Sequence, residues 1–289
     1  MMALRGIQPN LVEKRLKCLM YGVGGAGKTM AAISFPRPYL IDCEKGSDHQ
    51  QHMDKLIETD GSVFHSSDFD EVLNEVKELA STPHQFKTLI IDPLTVIYDN
   101  LLDKCALDRV SPTNPDGTAH GGHYIATNRK MKYLMRCLLN LDMNVIITSH
   151  AKNEYGHNMV VLGSTFDCYR KLDYLFDLVF EIQKKGKFRE AVVRKTRIAS
   201  FPDGDRFSFS YDEVANRYGR EILEKDAISI EVCTSDQILE FLRLQTVLSI
   251  SNEWCDERLK KAGIELWEDM PKETMTKIID FLTQQETKQ

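Results

Sequence analysis

The segment GVGGAGKT, residues 22–29, constrains the fold of this 289-residue chain more than any other part of the sequence. It satisfies the pattern G-x-x-x-x-G-K-[ST], and it lies between an apolar stretch at 16–21 and a helix-favouring stretch at 30–33. Its glycines allow the backbone to curl until successive N–H groups point inward, and the following helix adds the positive end of its dipole. The segment therefore predicts a strand, a phosphate-binding loop and a helix in succession.

The residues of this loop have separate predicted roles. We expect Lys28 to contact the β- and γ-phosphate oxygens of a nucleotide and Thr29 to offer its hydroxyl group to Mg²⁺. ATP and Mg²⁺ are therefore the expected cofactors. The predicted nucleotide contacts are Gly22, Val23, Gly24, Gly25, Ala26, Gly27, Lys28, Thr29 and Met30. The alternative is a flexible glycine loop that binds nothing.

Asp92 ends an apolar stretch, LIID at 89–92, which predicts a buried strand. It is the candidate Walker B acid, which holds the metal through water. The alternative is a simple strand-end cap. Pro93 follows it, where many ATPases carry the glutamate that activates the attacking water, and this weakens an AAA+ assignment. Val23 likewise weakens a ParA-type assignment, since those ATPases carry a lysine at that position.

Glu44 is the candidate for the role that Pro93 cannot fill. It follows the second apolar strand, in PYLIDCE at 38–44. A carboxylate at that strand end is expected at the carboxyl edge of the sheet, beside the phosphate loop and within reach of a water in line with the γ-phosphate. The alternative is that Glu44 caps the following turn.

Apolar strands alternate with amphipathic helices along the first part of the chain, which favours an α/β fold with a mostly parallel sheet. A helix is predicted at 68–80 with Asp68 as its N-cap, and another helix, through 131–139, leads into a strand at 144–150. Two strands joined by a tight turn at Gly186 predict an antiparallel extension of the sheet.

Strand signals stop near residue 234, and the remaining chain has the periodicity of helices. We therefore divide the chain into a core at 1–233 and a small helical carboxyl-terminal module at 234–289. The predicted helices of the module are 235–248, 251–262 and 271–284.

Composition narrows the class of partners. No apolar run of about 18 residues occurs, and the amino terminus has no signal-peptide pattern, so we expect a cytoplasmic protein without a membrane partner. The net charge of −6 provides no global attraction to nucleic acid. Any such binding requires a local basic patch, and segment 184–197 holds seven basic residues and one acid.

Taken in order, five segments resemble one family: GVGGAGKT, LIDCEKGSD, KTLIIDPLT, NVIITSHAK and VVRKTR. The chain resembles, over residues 16 to about 210, the phage RecA-like ATPases of the single-strand annealing (Sak) type, a reduced branch of the RecA recombinase superfamily. The resemblance implies a RecA-like P-loop core, ATP with Mg²⁺, single-stranded DNA as partner, and rings or filaments with ATP between neighbouring subunits. It implies an ATPase that promotes annealing or strand pairing.

The same resemblance implies roles for single residues. Glu44 holds the position of the catalytic glutamate, and His150 holds that of the polar residue that senses the γ-phosphate. In the basic hairpin, Lys195 and Arg197 are expected to reach the γ-phosphate bound by a neighbouring subunit. For His150 the alternative is a strand-end histidine bonded to backbone. For the hairpin the alternatives are binding of DNA phosphates and a merely solvated edge.

Two loops, 108–123 and 151–165, fall where the family holds DNA. Basic residues flank them and two tyrosines are available to stack on bases, with plain solvated loops as the alternative. The candidate DNA contacts are Lys152, Arg129, Lys130, Tyr124 and Tyr155. The acidic tail is a candidate docking site for a single-strand-binding protein.

Two other functions fit a phosphate loop of this kind. One is a small-molecule or nucleotide kinase, although no arginine-rich RxxxR lid follows the strand of Asp92. The other is an ATP-switched scaffold that binds ATP with little turnover.

Overall fold

The computed structural model describes residues 13–107, 122–155, 160–169 and 171–287. Its strands are β1 (Lys17–Gly22), β2 (Pro38–Asp42), β3 (Ser62–His65), β4 (Thr88–Asp92), β5 (Asn144–Tyr155), β6 (Val161–Phe166), β7 (Leu178–Lys185), β8 (Phe188–Thr196) and β9 (Arg206–Ser208). Its α-helices are α1 (Lys28–Ala32), α2 (Gln50–Glu58), α3 (Phe69–Ser81), α4 (Leu94–Leu107), α5 (Gly122–Asn140), α6 (Leu172–Leu175), α7 (Tyr211–Tyr218), α8 (Arg220–Leu223), α9 (Ser235–Val247), α10 (Asn252–Ala262) and α11 (Lys272–Glu286).

The strands form one sheet in the order β3-β2-β4-β5-β1-β7-β8-β9, and β6 pairs with β5. Strands β1 to β5 and β7 run parallel. Strand β5 separates β1 from β4, with Gly22 in register with His150, while Asp42 is in register with Asp92. The residues that end these strands therefore lie along one edge of the sheet.

The antiparallel extension forms as predicted. Strands β7 and β8 pair antiparallel around Gly186, whose φ of 61° lies in the left-handed region that glycine tolerates, and β9 continues the sheet. The prediction of a loop at 151–165 was wrong, because a strand occupies each end of this segment. Strand β5 continues to Tyr155 and pairs with β6, so most of this segment is a β-hairpin.

The sheet is buried on both faces, because successive side chains of each strand point to opposite sides. In β1, Leu19 and Tyr21 join the apolar cluster under α3, α4 and α5, whereas Cys18 and Met20 join the cluster on the side of α1. A third cluster lies within the last three helices, around Phe241.

The predicted fold class is confirmed: an α/β, RecA-like P-loop core with a mostly parallel sheet, an antiparallel extension and a carboxyl-terminal helical part. Asp68 caps α3 as predicted, since its side chain accepts from the backbone N–H groups of Asp70 and Glu71. The division at residue 233 stays a prediction. Within the described part of the chain, no helix is both long enough and apolar enough to cross a membrane.

Candidate functional site

The phosphate loop connects β1 to α1. Gly25 and Gly27 have φ values of 71° and 95°. These values lie in the left-handed region, where residues other than glycine are strained. The Lys28 Nζ donates hydrogen bonds to the carbonyl oxygens of Gly22, at 2.9 Å, and Val23, at 3.2 Å. The lysine amine thus reaches from the end of the loop back to its beginning.

Lys28 lies in a negative environment. The residue is buried, and burial lowers the pKa of its amine below the ordinary value, while the negative charges of Asp92 and Glu44 oppose that shift. Both carboxylates act on Lys28 although they come from different strands. The structure therefore brings these three predicted residues together at the carboxyl edge of the sheet.

Asp92 is held by the strand between it and the phosphate loop. The Thr148 hydroxyl of β5 donates a hydrogen bond to the Asp92 carboxylate, and both residues are buried. The Asp92 carboxylate and the Thr29 hydroxyl are hard oxygen donors of the kind that Mg²⁺ prefers. The side chains present therefore fit this ion.

A carboxylate just before Glu44 shapes the turn that carries it. The Asp42 side chain accepts hydrogen bonds from the backbone N–H groups of Glu44, at 3.1 Å, Gly46, at 3.3 Å, and Ser47, at 2.8 Å, and from the Ser47 hydroxyl. Burial alone would raise the pKa of Asp42, but these hydrogen bonds hold it below its ordinary value. It is Asp42, at the end of β2, that caps the turn.

Glu44 contacts His150. The Nε2 of His150, at the point where β5 leaves the parallel sheet, lies 3.1 Å from the Glu44 Oε1. About half of the Glu44 side chain, 49%, stays exposed, so the carboxylate is accessible to water.

The pKa of the Cys43 thiol is raised by burial and by the negative charges at this edge of the sheet. Burial has the largest effect, and the charges of Asp92, Asp42 and Glu44 raise the pKa further. The carboxylates of Asp92 and Glu44 act on the Lys28 amine as well, so negative charge surrounds both side chains. The arrangement offers groups that in-line transfer of a phosphoryl group to water uses: an amine for the phosphates, oxygen donors that fit a metal ion, and an accessible carboxylate.

The two residues predicted to act on a neighbouring subunit contact their own chain. The Lys195 Nζ donates to the carbonyl oxygens of Asp173, at 2.7 Å, and Phe176. Arg197 donates to the Tyr174 carbonyl oxygen at 2.6 Å and lies 3.4 Å from the Asp177 carboxylate. Both residues lie against α6 and the turn that follows it.

The candidate DNA contacts are dispersed. Lys152 pairs with Asp167 at 2.9 Å, and the Lys130 Nζ lies 4.0 Å from an Asp70 carboxylate oxygen. Arg129 and Tyr124 are exposed on α5. Of the remaining predictions, residues 108–121 and the side chain of Tyr155 lie outside the described part of the chain.

Sequence reasoning missed Asp42 and Thr148 as parts of the site. Asp42 carried a signal, because it ends the apolar run PYLID just as Asp92 ends LIID. Thr148 carried none, since a threonine within an apolar strand is common and its bond to Asp92 joins segments 56 residues apart.

Comparisons with known proteins show the family of the chain and solved structures of similar fold. A profile of the AAA domain family matches residues 14–215, more than half of the chain. The matched segment includes both Pro93 and Glu44. The proline removes a carboxylate from one position, but Glu44 provides one at the same edge of the sheet. No curated protein matches the sequence.

Two solved structures are similar in fold. One, described as the crystal structure of the RadB recombinase, has a TM-score of 0.42 and 19% sequence identity, and the alignment covers 67% of this chain and 86% of that chain. The other, described as a unique ATP synthase subunit from Nanoarcheaum equitans, has a TM-score of 0.38 and 13% identity, with 94% and 72% of the two chains covered.

Proposed function

We infer, from the premise that this chain belongs to the AAA domain family, that it is a Mg²⁺-dependent ATPase that binds single-stranded DNA and promotes annealing in phage recombination. One observation carries the ATPase part: the accessible Glu44 carboxylate lies at the same strand edge as Lys28 and Asp92 and contacts His150. These are the groups that hydrolysis of a terminal phosphoryl group needs.

Each side chain has one task in this mechanism. Lys28 binds the β- and γ-phosphate oxygens and stabilises the charge that develops on them. Glu44 accepts a proton from the attacking water, and the His150 imidazole, whose Nε2 lies 3.1 Å from Glu44 Oε1, positions that carboxylate. Thr29 and Asp92 would hold Mg²⁺, which neutralises phosphate charge when it is bound.

Annealing requires binding to DNA and self-association, and surface features support both. Arg129 and Tyr124 are both exposed on α5, and they supply a cation and an aromatic ring, the two kinds of group that single-strand binding uses. Phe188 at the tip of the β7–β8 hairpin is 72% exposed, and Val160, Val161 and Leu162 at the start of β6 are also exposed. Exposed apolar groups of this kind are typical of surfaces between subunits.

The ATPase is tested by Glu44→Gln, measured as phosphate release with and without Mg²⁺. We expect kcat to fall by about 10²–10⁴-fold, because a general base contributes about that much, while nucleotide affinity is retained. The matched control is Glu58→Gln, since Glu58 is exposed and pairs with Lys55 at 2.9 Å. Equal kcat in wild type and Glu44→Gln would contradict the role of Glu44.

Binding to DNA is tested separately, by the anisotropy of a labelled single-stranded oligonucleotide. We expect binding at low salt that strengthens with Mg-ATP and weakens as salt is added, because phosphate contacts release counterions. Arg129→Glu is expected to weaken it. If the oligonucleotide stays free with and without Mg-ATP, the DNA part of the proposal is wrong while the ATPase part stands.

A further inference from the structure

The β7–β8 hairpin lies directly against the phosphate loop. A methyl group built on Gly22 would lie 2.4 Å from the carbonyl oxygen of Ile182 in β7, and one built on Gly27 would lie 2.4 Å from the Nε of Arg189 in β8. Such distances are far below van der Waals contact. The Arg189 side chain therefore crosses the loop at the residue that precedes Lys28.

Among the described residues, none of the ion pairs includes Arg189. Its Nη1 lies 3.4 Å from the carbonyl oxygen of Phe188, which is a weak contact. The neighbouring cations differ, because Lys185 and Arg206 share the carboxylate of Glu190 at 2.7 and 3.0 Å. The guanidinium at the phosphate loop is thus not neutralised by an acid.

The negative charge around the phosphate loop favours a guanidinium at this position. Lys28 is accompanied by the carboxylates of Asp92 and Glu44, and a nucleotide adds several more negative oxygens. A guanidinium presents five N–H donors in a planar fork that matches phosphate geometry and keeps its charge when partly buried. A second side-chain cation beside Lys28 would therefore stabilise the phosphate chain.

We propose that Arg189 binds the phosphate chain of the nucleotide held by its own subunit. This proposal deepens the proposed function and rests on it. It assigns the cation at the phosphates to a residue in the first half of β8, whereas Lys195 and Arg197, in and after the second half, contact α6 and the turn after it. The hairpin thereby links nucleotide binding to Phe188 at its exposed tip.

A purely structural role makes a different prediction. If Arg189 only covers Gly27, then its aliphatic stem matters and its charge does not. Arg189→Met keeps a stem of similar length without the charge, and Arg189→Lys restores a charge without the fork. The two substitutions therefore separate packing from phosphate recognition.

The experiment titrates the full chain with a fluorescent N-methylanthraniloyl ADP in the presence of Mg²⁺. We expect Arg189→Met to bind about tenfold more weakly than wild type, with Arg189→Lys in between, since a charge-assisted contact to phosphate is lost and then partly regained. Lys187→Met, in the exposed part of the same hairpin, is the matched control and should bind as wild type does. Thermal unfolding of each variant confirms that it folds.

Two outcomes overturn the proposal in distinguishable ways. If wild type binds the nucleotide and Arg189→Met binds within about twofold of it, Arg189 only packs on the loop and the proposed ATPase is unaffected. If wild type itself does not bind Mg-ADP or Mg-ATP, the proposed function fails and this assignment fails with it.

Discussion

A single hydroxyl group fixes the acid expected to hold the metal. Thr148 donates to the buried Asp92 carboxylate, so Thr148→Val removes a hydrogen bond at nearly constant volume. We expect the Mg²⁺-dependent part of nucleotide affinity to fall by about fivefold, since such a bond is worth about 1 kcal/mol. The measurement is ADP affinity with Mg²⁺ and with a chelator.

The control for this change is Thr127→Val. Thr127 is also fully buried, but its hydroxyl donates to the His123 carbonyl oxygen within α5. It should lower stability slightly and leave the dependence on Mg²⁺ unchanged. Equal Mg²⁺ dependence in all three proteins would show that Thr148 does not orient the acid.

Asp42 makes the stability of the active-site turn depend on pH. Hydrogen bonds from the turn hold its pKa in the folded protein below the unfolded value of about 3.9. Its contribution is therefore complete above about pH 4 and is lost as the pH falls through the folded pKa. Asp42→Asn should cost about 1–3 kcal/mol at pH 5, because hydrogen bonds to a charged group are lost, and less once the pH falls below the folded pKa of Asp42.

Urea unfolding of wild type and Asp42→Asn at several pH values measures this gap. The comparison runs from pH 5 downward, since histidine in general changes charge above pH 5 and the His65 Nδ1 lies 3.6 Å from Asp42. A gap that stays constant across the interval would mean that the Asp42 charge is not what stabilises the turn.

Sequence reasoning identified Lys28, Asp92 and Glu44 because each has a position defined by a local pattern, a loop motif or a strand end. It did not identify Thr148 or Arg189. Their roles depend on which strands become neighbours: β5 beside β4, and the β7–β8 hairpin beside β1. Pairing of segments so far apart leaves no local mark in one sequence.

At the scale of elements, one lysine joins the first strand to the longest helix of the core. The Lys17 Nζ, at the start of β1, donates to the carbonyl oxygens of Leu138, Leu141 and Met143 at 2.8–3.0 Å, just where α5 ends. The last carbonyl groups of a helix have no partner within the helix. Lys17 supplies the donors that these buried oxygens need.

Lys17→Met therefore should lower the free energy of unfolding by about 1–3 kcal/mol, because buried acceptors lose their donor while the side-chain volume is kept. The measurement is the urea midpoint together with the slope. Lys187→Met, an exposed change of the same chemistry, should stay within about 0.5 kcal/mol of wild type. Equal midpoints would mean that other donors satisfy the end of α5.

Elements were predicted where their apolar residues are periodic, as in α3 and the last three helices. Helix α4 was not predicted, because Thr95, Val96, Ile97 and Tyr98 favour strands and its buried residues have no clear helical period. Tertiary packing under the sheet overrides that preference. Strand β3 was not predicted either, because it is a short edge strand with no buried residue.

At the scale of the whole molecule, the carboxyl-terminal helices contact the core at few places. The Asp269 carboxylate of the helical module accepts from the Tyr133 hydroxyl at 2.7 Å and pairs with the Lys77 amine at 2.8 Å. Arg136 donates to the Gly263 carbonyl oxygen at 3.3 Å. The apolar cluster of the module is its own, so these polar contacts decide how firmly it stays on α3 and α5.

Asp269→Ala removes the central contact, and we expect the module to detach locally more often. Because about 1–2 kcal/mol is lost at a half-buried ion pair and hydrogen bond, hydrogen exchange should speed up about tenfold in the connecting segment 228–233. In that segment the Ile230 N–H donates to the Ala80 carbonyl oxygen at 2.8 Å, which makes it a direct reporter. Asp280→Ala, an exposed change on α11 of the same module, is the control. If both variants exchange at the wild-type rate in segment 228–233, the Asp269 contact does not hold the module on the core. The backbone hydrogen bond from Ile230 to Ala80 then holds it without Asp269.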